Sequence, residues 1–263
     1  MDTIFSLIAL LSFISLTSAS NGSRWIKNTS ASTSHIEFEG NETEKGFDYF
    51  VLALEWPGTI CRNTHHCCST NACCHGISSS LHFTIHGLWP DYNDGTWPQC
   101  CSGARFNEKK IFSLLGELER DWPSLSCSSP TNCHGGRGSL WAHEWEKHGT
   151  CSYPVIKDEY SYFSTTLQIY SKYNILDILN AAGISPANDK EYLTCDLVTA
   201  ISKAVGATPS VVCSHGQLEE LRLCFYKDFK PRDCISTYTG QNEQSCPQHV
   251  MIPQYVPSDI ASI

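Results

Sequence analysis

Fifteen cysteines in 263 residues constrain this chain more than any other feature. A reducing cytosol rarely tolerates so many thiols, so the pattern predicts an oxidising compartment and a fold stapled by disulfides. Structural zinc is the competing use of clustered cysteines, and it normally takes Cys-x-x-Cys knuckles. Here thiols stand as adjacent doublets, Cys67-Cys68, Cys73-Cys74 and Cys100-Cys101, and no Cys-x-x-Cys occurs. Disulfides are therefore expected, and the odd count leaves at least one thiol free or bonded to another molecule.

The N-terminus points to the same compartment. Residues 1–20 carry an apolar run from Ile4 to Leu16 and then the small residues Thr17, Ser18 and Ala19, the pattern of a cleaved secretory signal peptide. The run is too short to span a bilayer and no later stretch approaches that length, so no membrane attachment is expected once the signal is removed. Residues 21–45 form a polar lead-in with glycosylation acceptors at Asn21, Asn28 and Asn41. The destination is a secretory one, extracellular or a vacuole-like lumen. One domain is expected over residues 46–256, followed by a tail at 257–263. The net charge of −9 argues against a protein that holds nucleic acid for long, because phosphate contacts supply most of such affinity. It does not exclude an enzyme that must release a polyanion.

Within the domain, FDYFVLALEW (47–56) has the apolar density of a buried strand. LHFTIH (81–86) alternates, with Leu81, Phe83 and Ile85 on one face and His82, Thr84 and His86 on the other, and Gly87 is expected to end it. Segments 109–122, 139–148, 158–173 and 190–205 read as helices, and 220–228 as a further strand. Strands and helices without regular alternation predict an α+β fold, an antiparallel sheet with packed helices, rich in disulfides.

The chemistry concentrates in His143, Glu144, Trp145, Glu146, Lys147 and His148, followed by Gly149, a residue that can cap a helix end. At about 100° per residue, His143, Lys147, Glu144 and His148 fall within about 140° of one another, with Trp141 and Trp145 on the flank and back. A zinc protease would need its two histidines four apart on one helical face, whereas these stand five apart with a lysine beside them, so no metal is expected. A solvated helix with incidental histidines is the plain alternative. Against it stands His86, a second imidazole on a separate element. Two histidines with a lysine and a glutamate suit phosphodiester cleavage by an internal 2′-OH, which needs a base, an acid and charge on the phosphorane.

FTIHGLWP (83–90) and WAHEWEKHGTC (141–151) resemble the two active-site segments of the ribonuclease T2 family. FDYFVLALEWPG (47–58), DYNDGTWPQCC (91–101) and CFYKDFKPRDC (224–234) extend the resemblance, which is nearest to the acidic plant S-like enzymes. It implies an α+β endoribonuclease without cofactor or metal. His86 would be the general acid and His148 the general base, Glu144 and Lys147 would stabilise the phosphorane, and His143 would help hold the phosphate. Trp89 is similar to the family's base-stacking aromatic, though a core tryptophan beside Pro90 fits its sequence equally. Glu55 stands at a second base site where many relatives carry Gln, and a carboxylate cannot donate the amide hydrogen bonds. The implied bridges are Cys61 with Cys67, Cys68 with Cys127, Cys101 with Cys151, Cys213 with Cys246 and Cys224 with Cys234. Cys73, Cys74, Cys100, Cys133 and Cys195 remain unassigned, with Cys195 the candidate odd thiol. RNA would be the substrate and DNA would survive, since it lacks the nucleophile. A storage or defence protein on the same scaffold would typically have lost a catalytic histidine, and here both are present.

Overall fold

A computed structural model describes residues 46–64, 67–77, 82–127, 133–235 and 246–256, all within one compact unit spanning Thr43–Ile263. The expected signal peptide, the lead-in with Asn21, Asn28 and Asn41, residue Leu81 and the tail at 257–263 lie outside the described residues. The strands are β1 (Tyr49–Glu55), β2 (Thr84–Asp91), β3 (Glu191–Leu193), β4 (Ser210–Ser214), β5 (Gln217–Phe225), β6 (Pro231–Arg232) and β7 (His249–Met251). The helices are α1 (Pro57–Ile60), α2 (Ala72–His75), α3 (Leu115–Asp121), α4 (Leu140–Lys147), α5 (Glu159–Tyr170), α6 (Ile175–Ala181) and α7 (Thr194–Val205). No helix among them is long and apolar enough to cross a membrane.

The sheet runs β2-β1-β5-β7-β3, with β4 and β6 also paired to β5. β1 lies between two neighbours and is buried along nearly its whole length, which explains its continuous apolar sequence. Every pairing is antiparallel except β5 with β7, where Gln217 meets Met251 in parallel register. β7 begins three residues after Cys246, which a disulfide ties to Cys213 on β4. Trp56, Trp122, Tyr162, Phe50, Phe163 and Phe225 fill the core. Their polar atoms are satisfied inside it: the Trp56 indole donates to the Pro253 carbonyl at 2.8 Å and the Tyr162 hydroxyl to that of Leu88 at 2.9 Å.

Several boundaries differ from expectation. The helix predicted at 109–122 opens as a 3-10 turn at Glu108–Leu114, matching the three-residue spacing of buried Ile111 and Leu114, before α3 begins. The first residues of the predicted 190–205 helix are strand β3, whose backbone groups are taken by β7. β2 does not end at Gly87 but continues to Asp91, and Thr84, expected on the polar face, is fully buried.

Seven disulfides link fourteen of the cysteines. Cys68–Cys127, Cys101–Cys151, Cys213–Cys246 and Cys224–Cys234 join the residues that the resemblance implied. Cys61 with Cys67 is corrected: Cys61 bonds Cys73, and Cys67 bonds Cys74. Cys61 and Cys73 are both buried against Leu125, whereas Cys67 is exposed and bonds the buried Cys74. Cys100 pairs with Cys133, so the Cys100-Cys101 doublet sends one bond to each side of α4, and the Cys100 amide also donates to the Lys147 carbonyl at 2.9 Å. Cys195 is the free thiol, exposed in the first turn of α7.

Candidate active site

His86 owes its position to an irregularity in β2. Ala53 pairs with Gly87 and Leu54 with Ile85, so His86 is the extra residue of a β-bulge. In a regular strand, residues three apart point to opposite faces. The bulge turns His86 and Trp89 onto the same cavity. The His86 carbonyl, outside the ladder register, accepts from the Trp122 indole at 2.8 Å. A side chain at Gly87 would overlap Glu144 Oε2 and Trp89 Nε1, so a glycine is required for α4 to approach the strand this closely.

The second half of the site hangs on α4. Ser139 caps its N-terminus, accepting from the Ala142 amide at 3.2 Å. The Trp141 and Trp145 indoles donate to the carbonyls of Trp122 and Ala104, each at 2.8 Å, and anchor the back of the helix as its pattern predicted. His143, Glu144 and Lys147 face the cavity from the helix, and His148 follows at its C-cap with φ −113°. His148 remains in the right-handed helical region, its amide donating to the Glu144 carbonyl at 3.1 Å; its ring stands 6.1 Å from that of His143, and donor atoms of His143, Glu144 and His148 come within 4.8 Å of one another. Distance therefore does not keep these groups apart, and the difference from a metal centre is one of charge, since the Lys147 ammonium acts on both Glu144 and His148. Gly149 is not a left-handed cap. It opens a 3-10 turn, Gly149–Ser152, and a side chain there would strike the Trp145 ring.

The cavity encloses about 260 Å³. His86, Trp89, His143, Glu144, Lys147 and His148 all line it, joined by Tyr49, Asp91, Trp97 and Arg222, which the sequence did not single out. Trp89 stands between the two imidazoles, its ring 5.0 Å from His86 and 5.4 Å from His148, and its indole donates to Glu144 Oε2 at 2.8 Å. Glu55 is not part of the lining and sits behind His86, with Oε1 3.6 Å from Nδ1. His86 Nδ1 is bonded instead to Glu220 Oε2 at 2.7 Å, and Glu220 Oε1 accepts from Arg222 Nε at 2.7 Å. Both residues sit on β5, where Glu220 and Arg222 alternate with buried Leu221 and Leu223, and that alternation was the available signal for them.

The electrostatics separate the two histidines. Burial opposes charge on His86, but the carboxylates of Glu55, Glu220 and Glu144 outweigh it and raise the imidazole to about 10. Burial and the positive charges of Lys147, His143 and His86 push His148 down to about 3. Burial lifts Glu144 to about 7 against the pull of His86, the Trp89 hydrogen bond and Lys147. Burial also raises Glu55, whereas Glu220 lies below its ordinary value because its bonds to His86 and Arg222 outweigh its burial.

Residues 47–234 match the family model described as the ribonuclease T2 family. Ribonuclease 3 of Arabidopsis thaliana is 38% identical over 184 residues, covering 68% of this chain and 78% of that protein. An RNase-related protein from Calystegia sepium superposes with a TM-score of 0.72 at 45% identity, covering 80% of this chain and 98% of that one. RNase NT, solved in complex with 5′-AMP, gives a TM-score of 0.64 at 33% identity, covering 80% and 99%. With the bulged histidine, the α4 cluster and these likenesses agreeing, the chain belongs to the ribonuclease T2 family.

Proposed function

We propose that residues 46–256 form an endoribonuclease that cleaves single-stranded RNA by transesterification and then hydrolysis, with histidines as acid and base. The observation that carries this most is one cavity flanked by two imidazoles perturbed in opposite directions, one kept protonated and the other kept neutral. Neutral His148 removes the 2′-OH proton, the 2′-oxygen attacks phosphorus, and protonated His86 gives its proton to the departing 5′-oxygen, leaving a 2′,3′-cyclic phosphate. In the second step neutral His86 takes a proton from water, the hydroxide opens the ring, and protonated His148 returns a proton to the 2′-oxygen. The products end in 3′-phosphate and both histidines are restored. Lys147 and Glu144 stabilise the charge that develops on phosphorus, and His143 helps hold the phosphate. Trp89, on the cavity wall, offers an aromatic surface to a base, and Glu55 belongs to a second base position behind the acid. No step calls on a metal.

The cysteines and the N-terminal pattern support action in the secretory pathway, outside the cell or in a vacuole-like lumen. The test incubates the protein with a short RNA and its all-deoxy analogue in EDTA and identifies the ends by mass spectrometry, with His86→Ala and His148→Ala in parallel. Cyclic and 3′-phosphate ends from RNA alone, lost in both variants, are expected. Equal cleavage of DNA, or loss of activity in EDTA, would refute the mechanism, and an inert wild type would leave a binding or storage protein on this scaffold.

A further inference from the structure

We infer, on the basis of His86 acting as the acid, that Glu220 is the positioning residue of that acid: it holds the ring by Nδ1 so that Nε2 meets the leaving oxygen, and Arg222 holds Glu220 in turn. An imidazole on a bulged strand has two ring orientations of similar shape, and only one presents Nε2 to the substrate. The orientation is chosen by whatever accepts the Nδ1 proton. Three carboxylates face His86, and they are not equivalent. Glu144 Oε1 is 4.0 Å from Nε2 and Glu55 Oε1 is 3.6 Å from Nδ1, both beyond a hydrogen bond. Glu220 Oε2 alone bonds the ring, at 2.7 Å.

The anchor is itself anchored. Glu220 is buried, and its second oxygen accepts a hydrogen bond from Arg222 Nε at 2.7 Å, so both carboxylate oxygens are committed. Arg222 lies two residues along β5, on the same face, and its guanidinium rests 5.5 Å from the centre of the Trp89 ring. β1 carries the register between acid and anchor: Glu55 faces Glu220 on one side and Thr84 on the other. Glu220 thus places the ring from the strand ladder, with no loop in the chain of contacts. Its carboxyl stays ionised to lower pH than usual, while burial pushes Glu55 and Glu144 the other way, so Glu220 is the carboxylate that persists when the solution is acid.

A general acid matters only when the leaving group needs a proton, and that property separates positioning from mere structure. Glu220→Leu, Glu220→Gln and His86→Ala are assayed on a ribodinucleoside monophosphate of the preferred base and on its nucleoside 3′-(4-nitrophenyl phosphate), whose phenolate departs unprotonated. Near-UV circular dichroism confirms folding. For Glu220→Leu, kcat on the dinucleotide is expected to fall about 10–100-fold with KM little changed, the range for removing the partner that orients a functional histidine. The nitrophenyl ester should stay within about twofold. Glu220→Gln keeps an acceptor and loses the charge, so it should recover part of the rate. Its basic limb should move to lower pH, against a background still set by Glu55 on β1, Arg222 on β5, and Glu144, Lys147 and His148 of the α4 segment. Equal losses on both substrates would make Glu220 merely structural and overturn the inference, as would no loss on either. If His86→Ala in an active enzyme showed no dependence on the leaving group, the acid assignment itself would be wrong, and the positioning role would fall with it.

Discussion

Replacing Trp89 with Phe should cost stability in a way that depends on pH. The indole donates a hydrogen bond to Glu144 Oε2 at 2.8 Å, and the Glu144 side chain is 1% exposed. A hydrogen bond to a charged acceptor contributes about 1.5–3 kcal/mol and one to a neutral acceptor about 0.5–1.5 kcal/mol, so its loss penalises the carboxylate over the acid by about 1–1.5 kcal/mol. That difference is about one pH unit, moving the Glu144 titration from about 7 to about 8. The sign follows from proton binding. The folded carboxyl already stands above its ordinary 4.5, so the folded state binds the extra proton and stability declines as pH rises between the two values. The variant extends that decline by another unit. Lost packing adds a penalty that does not vary with pH. Thermal unfolding of both proteins at pH 5 and pH 9 reads the two parts separately, and the variant's deficit in melting temperature should be larger at pH 9 by about 2–6 °C for a domain of this size. An identical deficit at both pH values would show that Trp89 does not support the ionised form of Glu144.

The acid limb of kcat/KM should lie well below 6.5 and the basic limb well above it, because His148 is depressed to about 3 and His86 raised to about 10; a narrow bell with both limbs near 6.5 in a pH–rate series would contradict the site's electrostatics. Gly87→Ala drives a methyl into Glu144 and Trp89 and should cost about 1–3 kcal/mol by chemical denaturation, with most of the activity. Cys195→Ser should leave the melting temperature unchanged while abolishing thiol labelling of the denatured, unreduced protein, and peptide mapping should recover Cys61–Cys73 and Cys67–Cys74 as separate bonds.

His143, Glu144, Lys147 and His148 could be found from the sequence because one short helix carries them all, and a helix converts spacing into direction. His86 was visible for the same local reason, as the polar member of an alternating run. The bulge that aims it was not, because it is set by the register of β1 against β2, a property of two segments some thirty residues apart. Glu220 and Arg222 had a local signal, polar residues alternating with leucines, but a solvated strand face reads identically, and only pairing with β1 brings them to His86. β4 was not read from the sequence; in the structure His215 and Gly216 both take positive φ, the turn geometry that closes a tight hairpin onto β5. β3 and β7 are three residues each and depend on one another, so neither could be read alone. The Cys61–Cys67 expectation failed because sequence proximity says nothing of depth.

The two histidines of the cavity are held in place by different kinds of bond. His86 stands on a hydrogen-bonded strand that carries no cysteine. His148 ends a two-turn helix held by the Trp141 and Trp145 indoles, with a disulfide from Cys100 to Cys133 before it in the chain and one from Cys101 to Cys151 after it. Oxidation therefore bears more directly on the surroundings of His148 than on those of His86. In reduced protein His86 would keep its strand ladder and His148 its helix and indole anchors, while the segments carrying Cys100, Cys101, Cys133 and Cys151 would lose their cross-links.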